Sequence, residues 1–299
     1  MTRPEYYLSQ AFLDFFRQRV ADRKTMALVS VLSTEGSTYS KAGTQMLVDE
    51  DRLAQGMLSG GCLEGDLADR VTRVLDHGEP VTVTYDLSDE DELFGLNVGC
   101  EGTIHALLSP LLPDSAYEPV AGWIAQLEQR RFVDIGMADT RVRLYRPRSL
   151  LLLGAGKDAE PLISLARVIG WHVSAFDHRA AYLENPAVQV AESVRCGEPD
   201  QLADSVDLGR IDAAVIMSHN LAADTEYLKI IADSDVGFVG LIGPPSRRDR
   251  LLAAIGGQAA LLGERLRAPV GTRIGGRGPA AIALEIAAEL QAYFSAERS

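Results

Sequence analysis

Four consecutive leucines, Leu150 to Leu153, run straight into Gly154-Ala155-Gly156-Lys157-Asp158-Ala159, and this junction constrains the fold of the 299-residue chain most tightly. An apolar run bounded by a glycine turn reads as a strand buried on both faces. The first glycine permits a sharp turn, the second lets a pyrophosphate approach the backbone, and Ala159 is small enough for a following helix to pack on the strand. Further strands are predicted at His172–Phe176, Ala187–Ala191, Ile211–Met217 and Phe238–Ile242, with helical segments between them. The chain closes with a helix from Ala280, on which Ile282, Ile286, Leu290 and Tyr293 share one face. Strand and helix in alternation imply a parallel sheet with helices on both faces.

Residues 149–299 therefore read as a Rossmann-like, doubly wound domain. Asp177 ends the second strand, 21 residues after Gly156, where an acid can receive a ribose hydroxyl. Asp158 argues the other way, because it puts a carboxylate at the helix N-terminus that would otherwise attract a diphosphate. Occupancy by NAD(P) is thus the secondary reading of this domain. His219 follows the strand Ile211–Met217 on the edge where open α/β sheets bind ligands, and His178 shares that edge. Arg247, Arg248 and Arg250 read either as a phosphate clamp or as a solvated helix face.

The first half has a different grammar. Strands are predicted at Ala27–Leu32, Gln45–Val48, Leu53–Leu58, Val81–Tyr85 and Thr103–Leu108, with one helix from Leu63 to just before Gly78. An amphipathic N-terminal helix carries Leu8, Phe12, Phe16 and Val20 at helical spacing. The expectation is a smaller α/β domain with a mixed sheet over residues 1–113, a connecting helix and linker over 114–148, and the Rossmann-like domain from 149. Asp86 to Glu92 holds five acids in seven residues, a solvated loop or a contact surface for a basic partner.

Two cysteines sit in glycine-rich turns. In Leu58-Ser59-Gly60-Gly61-Cys62-Leu63-Glu64 a thiol stands where a turn enters a helix, and exposed N–H groups there favour thiolate. Glu64 opposes or tunes that effect according to where its side chain points. Cys100 lies in Asn97-Val98-Gly99-Cys100-Glu101-Gly102. Two such thiols suit a soft metal or a sulfur-rich ligand, but no C-x-x-C pair is present for a structural zinc. Cys196 reads as incidental. Three scattered cysteines make no disulfide framework, and the N-terminus has no apolar signal block, so a reducing, cytoplasmic setting is expected. A net charge of −13 argues against general nucleic-acid binding, and no apolar stretch approaches the length of a membrane span.

Taken in order, these motifs resemble the XdhC/CoxI family of accessory proteins for molybdenum hydroxylases such as xanthine dehydrogenase. The resemblance runs from Gly36-Ser37-Thr38-Tyr39-Ser40-Lys41-Ala42-Gly43 and Gly56-Met57-Leu58-Ser59-Gly60-Gly61-Cys62-Leu63-Glu64 to the Gly154 loop, Asp177 and Ser218-His219. It continues through Phe238-Val239-Gly240-Leu241-Ile242-Gly243 and Pro269-Val270-Gly271 with Ile274-Gly275. It implies a molybdenum cofactor (molybdopterin) chaperone without turnover of its own. Such a protein protects the cofactor, supports its sulfuration with a cysteine desulfurase and delivers it to an apo molybdenum hydroxylase. The candidate cofactor-binding residues are then Ser59, Gly60, Gly61, Cys62, Glu64, Cys100, Gly154, Gly156, Asp177 and His219, with Cys62 as candidate thiolate and molybdenum contact. Ser40 departs from a frequent arginine, Glu101 from a frequent glycine, and Asp158 marks a loop variant. A homodimer is expected. The alternative is an NAD(P)-dependent oxidoreductase whose thiol, Cys62, faces the nicotinamide.

Overall fold

A computed structural model describes residues 3–87, 102–138 and 140–296. Cys100, Glu101 and most of the acidic run 86–92 lie outside the described residues. The chain divides into two compact units, Met1–Arg146 and Pro147–Ser299.

In the first unit a short strand β1 (Glu5–Tyr7) and helix α1 (Gln10–Ala21) precede β2 (Met26–Gly36), β3 (Gln45–Asp49) and β4 (Ala54–Gln55). Helix α2 (Glu64–His77), β5 (Val81–Asp86) and β6 (Gly102–Leu111) follow. The strands form an antiparallel sheet in the order β4-β3-β2-β6-β5. Side chains alternate across a strand, so β2 serves two cores. Ala27, Val29 and Val31 pack with Leu67, Val71 and Val74 of α2. Met26 and Leu28 pack on the other side with Phe12, Leu13 and Phe16 of α1. Gly78 ends α2 in the left-handed conformation that a Cβ disfavours.

Helix α3 (Val120–Leu127) and the hairpin β7 (Phe132–Met137) and β8 (Thr140–Tyr145) complete this unit. Strand β1 pairs with β8 in parallel, which makes the small sheet mixed. The hairpin falls where the sequence reads as a polar stretch. Every second residue, Val133, Ile135, Met137, Val142 and Leu144, enters the α1 core, and the polar residues between them face outward. Leu53–Leu58 forms less strand than expected, only Ala54–Gln55.

The second unit is a parallel sheet of six strands. They are β9 (Ser149–Leu153), β10 (His172–Asp177), β11 (Ser193–Cys196), β12 (Ala213–Ile216), β13 (Phe238–Leu241) and β14 (Leu266–Arg267). Their order is β11-β10-β9-β12-β13-β14, with every pairing parallel. Leu150 and Leu152 bury against α4 (Ala159–Ile169) and the last helix, α7 (Pro279–Ala296). Leu151 and Leu153 bury against α5 (Leu221–Ala232) and α6 (Pro245–Ile255). All four leucines are fully buried, each contributing about 1.5–3 kcal/mol. Chain order reverses between β9 and β12, which places the topological switch point at the Gly154 loop.

Ala187–Ala191 is not a strand. Asn185 caps a short helix, Pro186–Gln189, by accepting the Ala187 N–H, and Pro186 presets its first turn. The third strand comes just after, at Ser193–Cys196. The architecture is nonetheless the expected one: a smaller mixed-sheet α/β unit followed by a Rossmann-like parallel sheet. No helix among the described residues is long and apolar enough to cross a membrane.

Candidate functional site

In the first unit, two sequence blocks fold into one surface. Ser40 donates to the carbonyl of Met57 at 3.0 Å, and Thr38 donates to the carbonyl of Ser40 at 2.7 Å. Ser40 thus ties the loop after β2 to the turn that leads into α2. Tyr39 is 64% exposed and its ring flanks Gly60. Gly60 and Gly61 have φ of 84° and 116°, values that need glycine, and a Cβ on Gly61 would meet nothing within 4 Å. The backbone is therefore open beside Cys62, a free and half-buried thiol.

The N-terminus of α2 is occupied by the protein itself. Glu64 Oε1 accepts the N–H groups of Leu58 and Ser59 at 3.1 and 3.0 Å. Its Oε2 accepts those of Gly61 and Leu63 at 2.9 and 3.1 Å and the Ser59 hydroxyl at 2.7 Å. Ser59 in turn accepts the Leu63 N–H at 2.8 Å. Burial pushes the Glu64 carboxyl up, but the hydrogen bonds from Ser59 and Leu58 outweigh it and hold the group below its usual range. Glu64 neutralises the partial positive charge of the helix end and shapes the turn that displays the thiol.

In the second unit, Gly154 has φ of 120°, and a Cβ there would lie 2.5 Å from the Ser218 nitrogen. This glycine lets the β9 loop lie against the β12 turn. Gly156 is different: a Cβ would meet nothing within 4 Å, so the backbone stands open at the position where a ligand group could approach. Asp177 is fully buried. It accepts the Ala155 N–H at 2.7 Å, the Arg179 N–H and Nε at 2.9 Å, and Arg179 Nη2 at 2.8 Å. Burial raises its carboxyl, yet Arg179 and the Ala155 N–H together leave it below the ordinary value. Both oxygens are engaged, so Asp177 braces the glycine loop and offers a ribose hydroxyl nothing that Arg179 does not already hold.

His219 adopts φ of 60°, and its Nε2 lies 2.9 Å from Asp158 Oδ2. The two residues bridge the β9 and β12 loops across the switch point. Beneath them the Ser218 hydroxyl donates to buried Asp224, whose other oxygen accepts Arg247 at 2.6 Å. Arg248 bonds Asp249 and the Ala268 carbonyl. Arg247 and Arg248 are therefore engaged within the fold. Sequence reasoning missed Arg179 and Asp224; an arginine two residues after the strand-end acid was the visible signal for the first. Cys196 is exposed at the end of β11. Among the described residues no three His, Cys, Asp or Glu side chains gather as a metal site.

Fold and site together define a two-unit α/β protein. A glycine-set thiol stands in the first unit, and a braced glycine loop on a Rossmann-like sheet stands in the second. The chain matches the family described as XdhC and CoxI over residues 20–86 and the XdhC Rossmann domain over residues 150–290. It belongs to the XdhC/CoxI family. A crystal structure described as a xanthine dehydrogenase from Bacillus halodurans is similar with a TM-score of 0.81 at 25% identity, covering 97% of this chain and 96% of that one. Among curated proteins, a probable xanthine dehydrogenase subunit from Bacillus subtilis is 26% identical, over 90% of this chain and 93% of that protein. The molybdenum cofactor insertion chaperone PaoD of Escherichia coli is 22% identical, over 94% of this chain and 87% of that protein.

Proposed function

We propose that this protein is a molybdenum cofactor binding and insertion chaperone serving a xanthine dehydrogenase-type molybdenum hydroxylase. The observation that carries the reading is the turn Ser59–Cys62. A half-buried thiol stands beside Gly61, whose backbone is open, in a turn locked by the Glu64 carboxylate. Such a turn can receive a bulky soft-metal complex without rearranging the backbone. The cofactor, an anionic pterin dithiolene, supplies molybdenum with a preference for sulfur donors, and Cys62 is the donor that meets it. Glu64 acts behind the thiol, by holding the turn. Cys100, Gly156 and His219 remain candidate contacts in this reading.

The protein then protects the cofactor, supports its sulfuration with a cysteine desulfurase and hands it to the apo-hydroxylase, acting as a homodimer in the cytoplasm. The names of the Bacillus subtilis and Escherichia coli relatives support the assignment to xanthine dehydrogenase and to cofactor insertion. The engagement of Asp177 by Arg179 weighs against the NAD(P)-dependent alternative.

The test is a paired binding assay on wild type and Cys62→Ala. Molybdenum cofactor supplied anaerobically is scored as oxidised fluorescent pterin after gel filtration, with reduced nicotinamide dinucleotide run alongside. Comigration with wild type and loss with Cys62→Ala is the expected result. Nicotinamide binding without pterin would overturn the chaperone reading.

A further inference from the structure

Helices α4 and α7 lie side by side on one face of the parallel sheet. Each follows a strand of that sheet, so they run in the same direction, and Trp171 after α4 meets Phe294 near the end of α7, edge to face at 5.2 Å. Their outer surface is not that of a solvated helix pair. Pro161, Leu165 and Val168 recur at helical spacing on the α4 flank nearest α7, and Val168 is 85% exposed. Across the furrow α7 carries Ala281, Leu284, Ala288 and Ala292, with Leu284 50% exposed. The inner face of α7, from Ala283 to Phe294, is apolar as well, and a helix that is apolar all round is one that is covered on both sides.

The charged residues of both helices are turned away from this furrow and engaged elsewhere. On α4, Glu160 accepts from Asn185 and Arg167 pairs with Glu192 at 2.7 Å, both on the flank that faces β11. On α7, Glu285 accepts the N–H groups of Ile274 and Gly275, and Glu289 accepts that of Gly271 at 2.6 Å. The polar side chains that remain, Ser164, Gln291 and Ser295, bond within their own helices. The furrow therefore offers a partner no charge, only shape and apolar area.

We propose that this furrow is the surface through which two copies of the chain meet, antiparallel about a two-fold axis. One copy carries both the ridge and the trough that such a contact needs. The bulky side chains stand on α4 and most of the alanines on α7, so a two-fold seats each α4 on the other copy's α7. In that arrangement Leu165 lies over Ala288, and Val168 of one copy meets Leu284 of the other. A chain of net charge −13 repels its own copy, and a furrow without charge is where two copies can approach. At a rise of about 1.5 Å per residue and a width of about 10 Å each, the two helices present a face of roughly 400–500 Å². Two copies cover about 1,000 Å², the lower bound for a specific contact, so the dimer is expected to dissociate in the micromolar range. The inference rests on the homodimer reading and gives it a surface.

The experiment is sedimentation of the full chain from about 1 to 100 µM, a range that brackets such a contact. Val168→Glu, Leu284→Lys and an equal mixture of the two variants are run beside wild type. Wild type passes from monomer to dimer as concentration rises. Each variant alone weakens dimerisation about a hundredfold or more, because two-fold symmetry buries the unpaired charge twice. Both positions are exposed in one copy, so the melting midpoints of the monomers stay at the wild-type value. The mixture regains the dimer, since the new carboxylate of one copy then faces the new ammonium of the other. Positions 168 and 284 lie at opposite ends of the furrow within one chain, so only a contact between copies can pair them. Wild type that stays monomeric throughout overturns the proposal and the homodimer reading together. A dimer that both variants leave intact, or a mixture that stays monomeric, overturns the interface and spares the homodimer. Wild type that is monomeric alone, but held by an apo-hydroxylase and released by Val168→Glu, gives the furrow to the client instead. Molybdenum cofactor retention scored on the same samples reports on the chaperone reading separately.

Discussion

Five donors converge on the Glu64 carboxylate, four backbone N–H groups and the Ser59 hydroxyl. A glutamine in its place keeps one acceptor but turns an NH2 group toward N–H donors, leaving part of the helix end unsatisfied. Glu64→Gln is expected to cost about 1–3 kcal/mol. That corresponds to a melting midpoint lower by roughly 2–4 °C per kcal/mol in a domain of this size. Cys62→Ala, at a half-buried position in a turn held by Glu64, is expected to melt within about 0.5 kcal/mol of wild type. Thermal unfolding of the two variants side by side decides the matter. A drop in Cys62→Ala equal to that in Glu64→Gln would mean that the thiol, and not the carboxylate, holds the turn. The candidate thiol and its glycines were legible in the sequence because glycine has few other uses beside a cysteine at a helix entry. The direction of the Glu64 side chain was not, since sequence spacing allows it to face outward or to fold back.

At the level of elements, the two glycines of the β9–α4 loop serve unlike ends. Gly154 faces the Ser218 backbone and has positive φ, whereas Gly156 has neither constraint. Gly154→Ala is expected to destabilise the fold by about 2 kcal/mol or more, through backbone strain and the clash with the β12 turn. Gly156→Ala is expected to fold like wild type, and denaturant unfolding of both variants checks this. The strand-loop-helix pattern was readable because a leucine run ending in glycines has one economical fold. The β7–β8 hairpin escaped notice because its six-residue strands expose every second side chain. At Ala187–Ala191 apolar residues belonged to a short helix capped by Asn185, a case that periodicity cannot separate over five residues.

The same edge carries a pH dependence. Asp177 accepts from Arg179 and the Ala155 N–H and lies 3.5 Å from His178 Nδ1, and its folded carboxyl sits below the unfolded value of 3.8. A depressed carboxyl stabilises fully above its unfolded value, and the contribution is lost as pH falls through the folded value. Wild type should therefore exceed Asp177→Asn in stability at pH 7, and the gap should narrow below about pH 4. Chemical unfolding of both proteins across that range is the measurement, and a gap independent of pH would show that Asp177 acts through shape alone.

At the scale of the whole molecule, each unit holds its own pair of cores. Two lie on either side of the antiparallel sheet and two on either side of the parallel one. The division falls at Arg146 and Pro147, between the last strand of the small mixed sheet and the buried strand β9. Units of about 150 residues bury close to 70% of the surface of their unfolded chains, enough to fold without help. Chains ending at Arg146 and beginning at Pro147 are accordingly expected to fold separately, each with a single cooperative transition and native-like circular dichroism. The second unit should keep its helix α7, because Ile286, Leu290 and Phe294 anchor it to the sheet within that unit. A chain cut instead at Pro113 should fail, since it discards Val133, Ile135, Val142 and Leu144 from the core that α1 closes. Unfolding curves for the three fragments test the boundary directly. A stable 1–113 fragment would mean that the α1 core tolerates the loss of an entire hairpin, and the energetic division of the chain would then lie upstream of its structural one.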